Sequence, residues 1–160
     1  MRALQFIEGV LGKNGKSAGG VREIAADVSG LIETLSPFIQ HHTEHVCPYC
    51  RKVCCINKHS YYEYEDIVYI YALGEKMLPY REGINDSEPC QFLGECGCTI
   101  RRSVRPYRCN WYFCSPLLEH IQNIPAAQYR KFIDCLNQIT LKRTNLLEEF
   151  TAIAGKSFLK

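Results

Sequence analysis

A chain of 160 residues, 46% hydrophobic and 22% charged, has the make-up of one globular domain and is too short for two with full cores. Its net charge of +2 supplies no strong field for nucleic acid or an anionic membrane, and no apolar run approaches the ~18 residues a membrane span needs. The expectation is a single, mainly α domain over residues 1–160: a helical N-terminal part (1–45), a loop-dominated cysteine cluster (46–114) and a helical C-terminal part (115–155).

The first residues, Met1-Arg2-Ala3-Leu4-Gln5-Phe6-Ile7-Glu8-Gly9, do not read as a signal peptide. Gln5 and Glu8 interrupt the apolar stretch and no small-residue cleavage site follows, so a cytoplasmic location is expected. Residues 12–20 are small and polar and read as a loop. Within it, Gly15-Lys16-Ser17 matches only the end of a phosphate-binding motif, because the first glycine is misplaced and no strand precedes it. Val21, Ile24, Ala25, Val28, Leu31, Ile32, Leu35, Phe38 and Ile39 then recur at three- and four-residue steps, which predicts a helix. Pro37 is expected to bend or thin its last turn before His41-His42-Thr43-Glu44-His45.

Ser60 and Glu63 have capping-box spacing ahead of a helix through Tyr64, Ile67, Val68, Tyr71 and Ala72, which Pro79 is expected to end. Residues 80–89 read as loop, and 90–114 as loops and turns with a short hairpin. Ser115-Pro116 suits the start of a short helix through Leu117, Leu118 and Ile121. A last helix begins near Asn123 or Pro125. Its stripe runs Tyr129, Phe132, Ile133, Leu136, Ile139, Leu146, Leu147 and Phe150, and Gly155 is its expected stop. Lys142 and Arg143 interrupt that stripe, so a break near Thr144 is one expectation.

Nine of the ten cysteines crowd into one stretch, as Cys47, Cys50, Cys54, Cys55, Cys90, Cys96, Cys98, Cys109 and Cys114. A reducing compartment makes such thiols metal ligands rather than disulfides. Cys47-Pro-Tyr-Cys50 lets one tight turn offer two sulfurs to one ion. Cys54 and Cys55 are adjacent and their side chains diverge, so they serve different ions, or one stands behind a ligand. Nine thiols exceed one four-ligand site. Two four-cysteine sites would use eight; one site with spare thiols, or one completed by histidine, is also open. Cys135, beside the stripe of the last helix, reads as a buried apolar residue. His41, His42, His45 and His59 lie near the first thiols, and their plain reading is solvated rings at a helix end, where positive charge suits the dipole.

The run Pro89-Cys90-Gln91-Phe92-Leu93, Cys98-Thr99-Ile100 and Arg105-Pro106-Tyr107-Arg108-Cys109 resembles the latter half of the YkgJ-type cysteine-cluster family, and Cys47, Cys50, Cys54 and Cys55 resemble its opening motif. The resemblance covers residues 47–114. It implies a zinc- or iron-chelating domain of a bacterial cytosolic protein, with Cys47, Cys50, Cys54, Cys55, Cys90, Cys98 and Cys109 carried over as ligands. Three residues, Arg51-Lys52-Val53, separate Cys50 from Cys54 where that family has two. Cys96 and Cys114 fall outside its pattern.

All-sulfur sites suit zinc and iron–sulfur clusters alike. The spacing does not follow the usual ferredoxin run, so Zn2+ is the favoured cofactor, with iron or an iron–sulfur cluster as the alternative. No Ser-His-Asp order, paired carboxylates or zinc-protease helix is visible, and no reaction is assigned. Arg101, Arg102, Arg105 and Arg108, interleaved with Tyr107, Trp111 and Tyr112, have the look of a nucleic-acid surface. Neutralising an anionic thiolate site explains them better. The functional expectation is a structural or chelating metal protein. Its alternatives are an iron–sulfur protein in redox or enzyme-support chemistry and a zinc-stabilised nucleic-acid binder, and a protein partner stays open.

Overall fold

The computed structural model describes residues 2–13, 18–50, 53–57, 60–81, 83–85, 87–95 and 97–157. Cys96, His59 and the Gly15-Lys16-Ser17 stretch lie outside them. Among the described residues the chain is mainly α. Its helices are α1 (Arg2–Lys13), α2 (Gly19–Val46), α3 (Cys54–Asn57), α4 (Tyr64–Ala72), α5 (Arg108–Trp111), α6 (Ser115–Gln122) and α7 (Ala126–Ser157). One short antiparallel ladder joins β1 (Leu93–Gly94) to β2 (Gly97–Cys98).

Helix α1 falls within the N-terminal part expected to be helical, although the sequence reading placed no individual helix there. Ile7, Val10 and Leu11 are its buried residues, spaced three and four apart, and it packs on α4. It extends through Gly12 and Lys13, where a loop was expected. The Arg22 guanidinium donates to the carbonyl of Leu11 at 3.1 Å, which satisfies an acceptor that a helix end leaves without an intrahelical partner.

Helix α2 buries Val21, Ala25, Val28, Ile32, Leu35, Ile39 and His42 at alternating four- and three-residue steps. It continues past Pro37 to Val46 rather than ending there. Proline removes only its own N–H from the ladder, and Pro37 lies on the exposed side, where water can take the carbonyl it cannot reach.

Helix α4 is capped by Glu63, not Ser60. The Glu63 amide donates to Asp66 Oδ2 at 3.1 Å while the Glu63 side chain takes the third amide of the helix. Its end comes well before Pro79. Gly74 adopts φ 76°, its amide donates to Tyr71 O at 3.0 Å, and the Glu75 amide donates to Ile70 O at 3.1 Å. That is the closure a left-handed glycine allows. Cys114 takes the cap position before α6, so Ser115 and Pro116 are its first two residues.

Helix α7 runs unbroken through Thr144 and Gly155. Arg143 does not interrupt its buried stripe because it is itself buried and paired, donating to Asp66 Oδ1 at 2.9 Å, with its guanidinium 5.6 Å from the Tyr69 ring centre. No described helix is long and apolar enough to cross a membrane.

The chain divides into two compact units. Unit 1 comprises Met1–Leu31, Tyr62–Leu78 and Asn137–Lys160; unit 2 comprises Ile32–Tyr61 and Pro79–Leu136. Unit 1 is built from α1, the first part of α2, α4 and the latter part of α7, around Ile7, Val21, Val28, Val68, Ile139, Leu146 and Phe150. Phe150 meets the rings of Phe6 and Tyr64 edge-on at 6.4 and 6.5 Å. Unit 2 holds all eight described cysteines of the cluster and a smaller apolar set: Ile32, Leu35, Ile39, Phe92, Leu117, Ile121 and Phe132. Within it Phe132 stacks on Phe38 at 4.7 Å and meets Phe113 edge-on at 5.3 Å.

Candidate metal centre

The first group of thiols gathers at the end of α2. Cys47 opens a single 3-10 turn, Cys47–Tyr49, with Pro48 in its first turn, and the Cys50 amide donates to Cys47 O at 3.2 Å. This closes the Cys-x-x-Cys loop into the shape that presents two sulfurs side by side. Cys54 begins α3, and Cys114 stands before α6 in extended backbone, φ −71° and ψ 160°. Among its neighbours, Cys114 acts most strongly on the Cys54 thiol. Burial, then Cys114, Cys50 and Cys47, push the Cys54 thiol up to about 11. Burial, then Cys114 and Cys50, push Cys47 up as well. Cys47, Cys50, Cys54 and Cys114 therefore share one neighbourhood.

The second group is arranged by backbone bonds between distant segments. The Cys90 amide donates to Cys55 O at 2.8 Å, and Leu93 N donates to Cys90 O at 2.8 Å. The ladder sets Leu93 opposite Cys98 and Gly94 opposite Gly97, whose φ of 111° requires glycine. The Thr99 amide and hydroxyl both donate to Phe92 O, at 2.8 and 3.0 Å, and fix the return strand. Cys109 enters from α5, and its thiol donates to the Ser60 hydroxyl at 3.2 Å. Burial, then Cys109, Cys90, Cys98 and last Cys54, push the Cys55 thiol up to about 11. Cys109 is also raised, by burial first, with Cys98 and Cys90 adding to the shift and Ser60 and Arg105 opposing it. Cys55, Cys90, Cys98 and Cys109 form the second neighbourhood.

Cys54 and Cys55 are thus consecutive residues of one helical turn that face different thiol groups. Successive helical side chains point about 100° apart, which is why one short helix serves both. Cys135 lies half-buried on α7, where burial pushes its thiol up.

The four arginines of the 101–108 stretch divide in two. Arg102 is buried; its Nη1 donates to Cys109 O at 3.5 Å, and its Nε is buried with no hydrogen-bond partner. Burial and then Arg105 lower its pKa to about 10, while Cys109, Cys98 and Cys55 act in the opposite sense. Arg105 donates from Nε to Ile100 O at 2.9 Å. Arg101 and Arg108 are exposed, and the Arg108 guanidinium lies 5.2 Å from the Tyr112 ring centre. Two of the four arginines that, with Tyr107, Trp111 and Tyr112, suggested a nucleic-acid surface therefore lie beside the thiols.

Of the described histidines of α2, only His42 departs from the solvated reading. His42 is 4% exposed and occupies a core position of α2, while His41 and His45 are exposed. The eight described cysteines of the cluster are thiols, not disulfides. Among the described residues, no three or more His, Cys, Asp and Glu side chains have their donor atoms already set around one point as a bound ion requires. The two groups are neighbourhoods of thiols that an ion would have to draw inward. No family model, curated protein or solved structure matches this chain.

Proposed function

We propose that this chain is a thiolate metal protein with two four-cysteine sites: Cys47, Cys50, Cys54 and Cys114 for one ion, and Cys55, Cys90, Cys98 and Cys109 for the other. The observation that carries this reading is the division of adjacent Cys54 and Cys55 between two separate groups of four thiols. Four sulfurs per ion is the complement of a closed tetrahedral zinc site and of an iron–sulfur cluster. The role is structural and chelating, because four protein ligands leave zinc no open position for a substrate.

The environment of Arg102 supports the same reading. A buried guanidinium beside the protonated thiols of Cys55, Cys98 and Cys109 gains no opposite charge from them, an arrangement that costs several kcal/mol. Four thiolates around a divalent ion carry a net double negative charge and would provide it. The resemblance to the YkgJ-type family supports seven of the eight positions; Cys114, a candidate from its cysteine alone, is supported by its effect on Cys54 and Cys47. An ion at each site would also tie segments that are far apart in sequence, a role metals commonly take in small loop-rich units.

Elemental analysis of protein purified without oxygen tests this. The expected result is two zinc ions per chain, or iron with sulfide and a visible absorption band if the sites hold clusters. Exclusion of oxygen matters, because a cluster site can take up zinc once its iron is lost. A folded chain that carries no metal and keeps all these thiols reduced, or pairs them as disulfides, would overturn the reading.

A further inference from the structure

Four imidazoles lie together in unit 2. His41, His42 and His45 are in the last turns of α2, and His120 is in α6. The ring centres form a closed circuit: His41 to His42 at 5.2 Å, His42 to His120 at 5.0 Å, His120 to His45 at 6.1 Å and His45 to His41 at 4.5 Å. Two imidazoles that share a tetrahedral ion, with nitrogen roughly 2.0–2.1 Å from the metal, have ring centres about 5 Å apart. The four separations bracket that value.

Two further observations point to a ligand. His42 occupies a position of α2 at which every other buried residue is apolar, is 4% exposed, and has its Nδ1 buried without a hydrogen-bond partner. Leaving such a nitrogen unsatisfied is costly, and an ion is one way to satisfy it. His45 Nδ1 lies 2.7 Å from the His41 carbonyl oxygen. A carbonyl only accepts, so Nδ1 carries the proton and the lone pair resides on Nε2. A backbone carbonyl that fixes the opposite nitrogen is the usual support of a metal-binding histidine. His41 and His45, four residues apart, share one face of the helix.

The geometry points to a third, imidazole-only site formed by His41, His42, His45 and His120, which takes a late divalent transition ion such as Zn2+ or Ni2+. Imidazole nitrogen suits these ions, and the site draws on none of the eight thiols. Four of the six ring-centre separations stand near that value; the donor atoms are not yet set around one point, so closing the site needs the rings to turn their nitrogens inward.

The test uses Co2+ alone as the probe, titrated into the metal-free full chain under anaerobic conditions until any thiolate signal is complete. The expected result is one further equivalent of Co2+ with visible d–d absorption and without the sulfur-to-cobalt charge-transfer band of thiolate ligation. His45→Ala and His120→Ala, at an exposed and a half-buried position, should each weaken that binding at least tenfold while the circular dichroism spectrum is unchanged. No further equivalent, a signal carrying the thiolate band, or binding that survives both substitutions would overturn the inference. The further equivalent is read by its adding no charge-transfer band, whether or not the thiols have bound cobalt, so this result stands separately from the thiolate reading.

Discussion

In unit 1 the buried side chains are aliphatic or aromatic, with one charged pair, and Asp66 and Arg143 satisfy each other at 2.9 Å. Unit 2 is the longer of the two, yet seven of the 23 buried apolar residues among the described residues fall in it, against sixteen in unit 1. It also holds buried polar atoms with no hydrogen-bond partner: His42 Nδ1, Gln91 Nε2, Arg102 Nε, Ser103 Oγ and Asn110 Oδ1. Burial of apolar surface is the main force that offsets the entropy of ordering a chain. A unit with less of it per residue needs another source of order, and unit 2 is where the thiols and imidazoles are concentrated. The lesson is that the two units differ in what can fix their shape: unit 1 has the larger share of apolar packing, and unit 2 has less of it together with the thiols that the proposed ligation would use.

The largest expected effect separates them outright. Removal of metal with a strong chelator should abolish hydrogen-exchange protection at the amides of Cys90, Thr99, Cys109 and Asn110, which tie the loops of unit 2. The amides of α1 and α4 should keep theirs. Equal loss in both units would erase the distinction drawn here.

The converse disruption is Arg143→Met. Loss of one partner leaves Asp66 as an uncompensated buried charge, at a cost of about 3–5 kcal/mol in unfolding free energy. Metal content should be unchanged. Denaturant unfolding measures the first quantity and elemental analysis the second; a fall in bound metal would tie the ion pair to the sites.

Arg102→Met should act on one site alone. Loss of the cation beside Cys55, Cys98 and Cys109 should weaken their ion by roughly 10–100-fold, the usual consequence of removing a group that supports a ligand set. Competition with a chromophoric chelator would read two affinities, one shifted and one not. The smallest effect belongs to Cys135→Ala, expected to leave metal content intact and to change stability by about 1 kcal/mol or less.

The helical frame was legible where burial follows a period. Val21 through Ile39 predicted α2, and Tyr129 through Phe150 predicted α7. The failures have local physical causes. Arg143 looked like a break because its partner, Asp66, is 77 residues away and invisible to a periodic reading. The end of α4 was placed at Pro79 although Gly74 already supplied the left-handed residue a helix stop needs. Helix α1 carried its signal in Ile7, Val10 and Leu11, but Gly9 and Gly12 masked it.

At the candidate site, the residue types and the divergence of Cys54 from Cys55 were readable from order alone. Which thiols meet was not, because it depends on the path of the loops between them. Cys114 joins the first group only because the chain returns from the hairpin and α5 to start α6 there. His120 gave no sign of association with His41, His42 and His45, since nothing in sequence brings residue 120 to residue 42.

The most direct measurement is the metal stoichiometry of Cys54→Ser and of Cys55→Ser beside the unaltered chain, purified without oxygen in the same way. Two neighbouring residues that serve two different sites should each cost one ion of the two, and the ion that remains should differ in chelator affinity between the variants. Both substitutions removing the same ion, or neither removing any, would contradict the division of the thiols into two sites.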